Sequence, residues 1–198
     1  MKPNSLKVTA LLLAAALSFD ARLATAAQSE SWACEKHLAV VSEKEGVPLG
    51  VLYAVGLTES GRKSKLHPYA LNIEGETVFA KSRDDALAVF AKARREGKKL
   101  IDLGCMQVNH YYHGANFRSP AEMLVPEKNI IYAARFLKQL RQEHGSWTMA
   151  VARYHASAGN KKAQKSYICS VIKNLVRSGF GQWTVEAKAF CSQRVSTR

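Results

Sequence analysis

Glu59 is the residue of this sequence with the clearest potential for chemistry. It ends an apolar run that starts near Tyr53 and reads as the last turns of a helix, because the stop signal Ser60-Gly61 follows. A carboxylate there is desolvated by apolar neighbours and faces the negative end of the helix dipole. Both effects raise its pKa, which suits a general acid. From this segment alone, a solvated surface glutamate at a helix end is the alternative.

The elements that must position Glu59 are mostly helices. Gly46 and Gly145 mark helix ends, Pro48 marks a helix start, and Ser82-x-x-Asp85 has the form of a capping box. The periodicity predicts helices over residues 32–45, 48–59, 82–97, 126–145, 146–154 and 161–177, with a short one starting at 119.

One segment has the pattern of a β-hairpin instead. Residues 69–73 and 76–79 are rich in strand-forming side chains, and Glu74-Gly75 between them is a turn signal. The sequence contains no repeat and no low-complexity linker, so residues 27–198 are expected to form a single domain.

The N-terminus predicts export. Residues 1–26 combine two lysines, a short apolar run and the small-x-small pattern Ala24-Thr25-Ala26, which is typical of a cleaved signal peptide. An uncleaved anchor is the alternative. Cleavage would leave a periplasmic protein without stable membrane insertion.

The charge of the chain favours an anionic partner. The formal net charge is +13, of which the leader contributes a net +2, so about +11 remains after cleavage. The basic residues are scattered and no nucleic-acid motif accompanies them. An acidic extracytoplasmic polymer, such as the cell wall with its peptide carboxylates, is therefore favoured over nucleic acid.

Four cysteines follow the leader: Cys34, Cys105, Cys169 and Cys191. In an oxidising compartment they favour two disulfides, for which the sequence alone allows three pairings. There is no C-x-x-C motif, and His110-x-x-His113 near Cys105 is too sparse to indicate zinc. We therefore expect neither a metal nor a cofactor.

Four short motifs occur in a characteristic order. They are Glu59-Ser60 at a helix end, Gly104-Cys105-Met106-Gln107, Pro126-x-x-Asn129-Ile130 and Ala150-x-x-x-Tyr154-His155. Together, over about residues 34–177, they resemble the soluble lytic transglycosylase family. The chain departs from the family pattern in three respects. The segment 101–107 stands where Gly-Ala-x-Gly-Leu-Met-Gln is usual, so that Cys105 replaces leucine, and His155 replaces the usual asparagine after the tyrosine. The family's usual gap between the glutamate and the glutamine is also shorter than here.

The resemblance implies both a fold and an activity. The fold would be a mainly α, lysozyme-like α+β domain with a small inserted β-hairpin. Residues 69–103 would be an insertion beside the cleft, and residues 180–198 a C-terminal tail. The activity would be cleavage of the β-1,4 bond between N-acetylmuramic acid and N-acetylglucosamine in peptidoglycan, forming a 1,6-anhydro product. The pattern is similar to small members that accompany secretion, conjugation or flagellar assemblies, which are candidate partners.

The same resemblance assigns the site residues. Glu59 would be the catalytic acid, and the expected substrate-binding residues are Ser60, Met106, Gln107, Asn109 and Tyr154. Tyr154 matches the family tyrosine near the catalytic glutamate, where it would orient that residue or the substrate acetamido group. For Ser60, helix capping is the alternative. Asn129 is expected to cap or brace its helix, and His155 to replace asparagine structurally.

The resemblance also selects a disulfide pairing. Relatives often carry the cysteines equivalent to Cys34 and Cys105 together, which favours that pair. Cys169 and Cys191 would then attach the tail to the last helix.

Two other functions remain open at this point. A hydrolytic muramidase resembling goose-type lysozyme would need a second carboxylate to use water. The candidates are Asp102, Glu74 and Glu76, for which a structural or rim-lining role is the preferred interpretation. A non-catalytic assembly factor that only holds glycan is the other alternative, but it would not need a desolvated acid.

Overall fold

The structure, a computed structural model, describes residues 33–156 and 158–193. The predicted leader, residues 1–26, lies outside this part of the chain.

Two helices precede the sheets, and the second contains Glu59 near its C-terminal end. Helix α1 (Glu35–Glu45) ends at Gly46, whose φ of 68° is the left-handed conformation that glycine adopts at a helix C-terminus. Helix α2 (Leu49–Ser60) begins directly after Pro48 and ends at Gly61.

Two antiparallel sheets follow α2. Strands β1 (Gly61–Arg62) and β2 (Lys65–Leu66) form the first, and the second has the order β4-β3-β5-β6. Its strands are β3 (Ala70–Ile73), β4 (Glu76–Phe79), β5 (Ile101–Leu103) and β6 (Val108–Asn109). The predicted hairpin is confirmed as β3 and β4, which pair Ile73 with Glu76 across the turn. The sheet is wider than expected, because Leu103 of β5 pairs with Leu71 of β3.

Three of the remaining helices begin directly after the serine residues where the sequence predicted a helix start. Ser82, Ser119 and Ser146 each accept a hydrogen bond from a backbone N–H three residues on. The helices are α3 (Arg83–Arg95), α4 (His110–His113), α5 (Pro120–Met123), α6 (Pro126–His144), α7 (Trp147–His155), α8 (Lys161–Arg177) and α9 (Val185–Ser192). A single 3₁₀ turn, Gly114–Asn116, follows α4.

The core lies where the helices and the four-stranded sheet meet. Helix α2 packs against α8, α6 packs against α1 and α7, and α7 packs against α8. Leu52, Leu71, Leu103, Ile130 and Leu137 are completely buried there. The predicted mainly helical, lysozyme-like α+β class is confirmed. In the part of the chain that the structure describes, no helix combines the length and apolarity needed to cross a membrane.

Both favoured disulfides are present. Cys34–Cys105 joins the start of α1 to the turn between β5 and β6, and Cys169–Cys191 joins α8 to α9. The first closes a loop with a sequence separation of 71 residues. In the chain-entropy model, such a loop restricts the unfolded chain by about 4 kcal/mol.

Besides the additional strands, two of the α-helices in the described part of the chain were not predicted from the sequence. Residues 180–198 were predicted as a tail, but α9 lies within them; none of its residues is fully buried, so it lacks a strong apolar stripe. Helix α4 is only four residues long and depends on the side chain of Asn109, which accepts hydrogen bonds from Tyr111 N and Tyr112 N.

Candidate active site

Glu59 lies in a cavity between the C-terminal end of α2, the four-stranded sheet and α7. The cavity has a volume of about 250 Å³. It is also lined by Asp102, Gln107, Asn109, Tyr112, His113, Tyr132, Phe136, Tyr154 and His155. We call it the Glu59 cavity. Polar side chains and aromatic rings share its wall, as is common in sites that bind sugars or other polar small molecules.

The carboxyl group of Glu59 is held in its neutral form at neutral pH. Solvent reaches part of the residue, but protein atoms crowd its carboxyl group. This desolvation raises the pKa of Glu59 from 4.5 to about 8, against the opposing effect of a hydrogen bond from Tyr167. The negative charge of Asp102 raises it further. A neutral carboxyl at a cavity wall can donate a proton to a bound ligand.

Tyr167 positions this carboxyl group. It lies on the buried face of α8, and its hydroxyl donates a hydrogen bond to Oε1 of Glu59. Desolvation, followed by the nearby Glu59, raises the pKa of Tyr167 well above its usual value, so the hydroxyl keeps its proton. The imidazole of His155 stacks on the Tyr167 ring, with centroids 4.3 Å apart and an interplanar angle of 1°. His155 therefore covers the side chain that fixes Glu59.

A tight turn between β5 and β6 forms the floor of the cavity. Gly104 has a φ of 82° and Gln107 a φ of 46°, and the latter is uncommon for a residue other than glycine. The Gln107 amide nitrogen donates to Ala70 O and Gly104 O, both at 2.9 Å. Such a backbone persists only where its surroundings hold it.

Asn129 provides that support. Its Oδ1 accepts from Met106 N at 2.8 Å, and its Nδ2 donates to Leu103 O at 2.8 Å and to Met123 O at 2.9 Å. The residue is completely buried. A Cβ at Gly104 would lie 2.8 Å from Asn129 Nδ2, so glycine is needed there for space as well as for conformation. Asn129 thus braces the turn rather than the end of its own helix.

Asp102 is the second carboxylate of the Glu59 cavity. Its Oδ1 accepts from Asn109 Nδ2 at 2.6 Å, while Asn109 Oδ1 caps α4. Burial raises the pKa of Asp102, and the bond from Asn109 opposes that rise. The hairpin carboxylates lie elsewhere: Glu74 is exposed and pairs with Lys98 at 3.0 Å, and neither it nor Glu76 lines the cavity.

Comparison with known protein families matches residues 38–174 to the transglycosylase SLT domain. The chain belongs to this family. Its members are lytic transglycosylases of peptidoglycan, with a lysozyme-like fold. Comparison with curated proteins gave no match, and neither did comparison with solved structures.

The SLT domain brings four of the six sequence-predicted site residues to one cavity: Glu59, Gln107, Asn109 and Tyr154. Ser60 and Met106 are buried beneath it. The Ser60 hydroxyl donates to Cys105 O at 2.6 Å and accepts from His67 N at 3.2 Å, so it braces the end of α2. Substrate contact by either residue stays a prediction, and the structure gives both a packing role.

Tyr154 and Tyr167 have different hydrogen-bond partners, and Tyr167 was not identified from the sequence. The Tyr154 hydroxyl donates to Met106 O at 2.7 Å, so the observed hydrogen bond to Glu59 comes from Tyr167 instead. The sequence contained a signal for Tyr167 that was not used: Gln164, Tyr167, Ile168 and Val171 form the buried stripe of α8. A buried tyrosine usually needs a hydrogen-bond partner.

Proposed function

We propose that this protein is a lytic transglycosylase that cleaves the MurNAc–GlcNAc β-1,4 bond of peptidoglycan and forms a 1,6-anhydro ring. The observation that carries the proposal is Glu59. Its carboxyl is desolvated, with a pKa of about 8, and lies in the wall of a cavity of about 250 Å³. Membership of the SLT family supplies the substrate class.

The first step is protonation of the glycosidic oxygen. The Glu59 proton passes to this oxygen as the bond to the anomeric carbon breaks, and the bonding electrons stay with the departing sugar. The 2-acetamido oxygen of the substrate helps to stabilise the positive charge that develops at the anomeric carbon. The hydrogen bond from Tyr167 then supports the ionised Glu59.

The second step closes the ring. Ionised Glu59 takes the proton from the muramyl 6-hydroxyl, whose oxygen bonds to the anomeric carbon. Glu59 regains its proton and no water is consumed. One carboxylate therefore performs both steps, and the Tyr167 bond opposes the effect of desolvation so that neither form of Glu59 is inaccessible.

The remaining cavity residues would hold the sugar. Gln107 and Asn109 line the cavity with amide groups that Ala70 O, Gly104 O and Asp102 hold in place. Tyr112 presents an exposed ring. We further propose that the protein acts in the periplasm on local cell wall, because the leader pattern predicts export. We also propose that it serves a secretion, conjugation or flagellar assembly, because its motifs are similar to those of small members that accompany such assemblies.

Digestion of purified peptidoglycan sacculi tests the proposal. The released muropeptides are expected to lack a reducible end and to be one water molecule lighter than hydrolytic products by mass spectrometry. Glu59→Gln is expected to reduce release by at least about 100-fold while the protein stays folded. Normal release by a folded Glu59→Gln protein would overturn the role of Glu59.

Asp102 supports one second candidate, a hydrolytic muramidase. This carboxylate lines the Glu59 cavity and its charge acts on Glu59, so a water-activating base is available in principle. Borohydride-reducible muramic acid ends as the main product would favour that candidate and exclude the transglycosylase reaction.

A further inference from the structure

A second cavity, with a volume of about 500 Å³, lies beside the β1–β2 pair and the first residues of β3. We call it the basic groove. Its wall carries four cationic side chains, Arg62, Lys63, Lys65 and Lys81, and two aromatic ones, Tyr69 and Phe79. None of these residues lines the Glu59 cavity.

Every charged side chain that lines the basic groove is a cation. Among the described residues, its lining contains no carboxylate. Two carboxylates contact the backbone of lining residues: Asp85 Oδ2 accepts from Lys81 N, and Glu35 Oε1 from Leu66 N, each at 2.8 Å. Arg62, Lys63 and Lys81 are exposed, and no described carboxylate forms a salt bridge with any of them. A concave surface whose charged side chains are all cations concentrates anions. Such a surface is suited to an acidic ligand.

The shape of the groove is fixed by local contacts. The Arg62 guanidinium lies over the Phe79 ring, 5.0 Å from its centroid, and thereby links β1 to β4. Lys63 and Ser64 form a two-residue turn with φ values of 51° and 62°, a conformation in which glycine or asparagine is usual. Leu66 N donates to Glu35 Oε1 at 2.8 Å, which fastens β2 to α1.

The groove also lies close to the Glu59 cavity. Three peptide units separate Arg62 from Glu59, so their Cα atoms are at most about 11 Å apart. On the other side, Tyr69 precedes Ala70, whose carbonyl accepts the hydrogen bond from Gln107 in the floor of the Glu59 cavity. An extended peptide covers about 3.3 Å per residue, so a peptide of four or five residues is longer than the separation of Arg62 from Glu59.

We propose that the basic groove binds the acidic peptide stem of the peptidoglycan strand through the free carboxylates of that stem. This inference rests on the proposed function, because it takes the glycan as the ligand of the neighbouring cavity. The groove then gives the enzyme a preference for strands that carry peptides over strands from which the peptides have been removed.

Binding of the soluble stem peptide, measured by calorimetry on the full protein, tests the groove without any catalytic step. The groove pair Arg62→Gln with Lys81→Gln is compared with a control pair of equal charge change, Arg95→Gln with Lys138→Gln, which are exposed on α3 and α6. We expect the groove pair to weaken binding by about ten-fold, as two partly exposed charge pairs can, and the control pair by less than about two-fold. Binding should also weaken as salt is added.

Turnover on two substrates tests the expected preference for strands that carry peptides. Peptide-bearing glycan strands and strands stripped of peptide by an amidase are digested by the same three proteins. We expect the groove pair to lower kcat/KM about ten-fold on peptide-bearing strands only, and the control pair to lower neither.

Three results would overturn the proposal. They are absence of stem-peptide binding to the wild type, equal weakening by the groove and control pairs, and an equal effect of the groove pair on both substrates. The last two would indicate general charge attraction or an acidic partner of another class. If the wild-type protein cleaves neither kind of strand, the proposed function is wrong. The calorimetric measurement would still show whether the basic groove binds the stem peptide.

Discussion

The hydroxyl of Tyr167 on α8 donates a hydrogen bond to Oε1 of Glu59 at the end of α2, 108 residues away in the chain. This bond favours the ionised carboxylate and so lowers the pKa of Glu59, in opposition to the larger effect of desolvation. The hydroxyl of Tyr154, which lines the Glu59 cavity, instead donates a hydrogen bond to Met106 O. The two tyrosine hydroxyls therefore donate to different acceptors, and only that of Tyr167 bonds to Glu59.

Tyr167→Phe is expected to shift the pH profile of the enzyme. Removing the hydroxyl raises the pKa of Glu59 above about 8, so the fall in kcat/KM on the alkaline side should move to higher pH. Activity at the optimum should also drop, because the carboxyl loses its fixed position. Tyr154→Phe is the control and should leave the position of the alkaline limb unchanged. Identical profiles for the two variants would contradict the role of Tyr167.

Glu59 should make the wild-type protein less stable as the pH rises. In the unfolded chain a glutamate ionises near 4.5, whereas the folded protein keeps its proton until about 8. Between these values the unfolded state releases a proton that the folded state retains, so the free energy of unfolding falls as the pH increases. Above about 8 the effect levels off.

Glu59→Gln removes this dependence. Denaturant unfolding at pH 5 and pH 8.5 should show the variant gaining a few kcal/mol relative to wild type at the higher pH. The same pH-dependent loss of stability in both proteins would show that the Glu59 carboxyl is not desolvated.

The sequence predicted helices best where local chemistry determines them. Ser82, Ser146 and the glycines at 46 and 145 act within one turn of their own helices, so their capping roles could be read directly. The site was harder to predict. Glu59 and Gln107 were found through short motifs, whereas Tyr167 reaches Glu59 only because α8 packs against α2. The buried stripe of α8 indicates that Tyr167 is buried, but the partner of its hydroxyl depends on this long-range packing and has no local signal.

In the sheet, too, contacts between residues close in the sequence were predictable and long-range contacts were not. The β3–β4 hairpin was predictable because its turn and both strands lie within eleven residues, 69–79. Strand β5 pairs with β3 about 30 residues away, and a three-residue strand has too little pattern to indicate a distant partner. Asn129 was expected to cap or brace its helix, and its reach to Met106 across 23 residues again depends on tertiary packing.

Asn129→Ala should destabilise the protein severely. It leaves Met106 N, Leu103 O and Met123 O without their partner in a completely buried position. At roughly 1–3 kcal/mol for each unpaired buried group, we expect a loss of about 3 kcal/mol or more in denaturant unfolding. Asn116→Ala, an exposed asparagine, is the control and should cost less than about 1 kcal/mol. Equal losses for the two variants would remove the bracing role.

Tyr112→Ala should weaken substrate binding more than Tyr111→Ala. Tyr112 is 67% exposed and Tyr111 59%, and their rings contact each other. Only Tyr112 lines the Glu59 cavity. An exposed ring at a cavity wall can stack on a sugar. We expect KM for glycan strands to rise about five-fold in Tyr112→Ala and less than two-fold in Tyr111→Ala, with kcat little changed. A larger effect of Tyr111→Ala would place the substrate elsewhere.

Asp102→Asn separates the two candidate reactions. The Asp102 charge raises the pKa of Glu59, so its removal should lower that pKa and move the alkaline limb of kcat/KM to lower pH, opposite to Tyr167→Phe. If the 6-hydroxyl is the nucleophile, Asp102 has no proton to remove, and Asp102→Asn should still release anhydro muropeptides with a modest loss of rate. In a hydrolase, the same variant would lose its water-activating base, and product formation would collapse by about 100-fold or more. Mass spectrometry of the products together with the direction of the pH shift therefore tests both the chemistry and the electrostatic link between the two carboxylates.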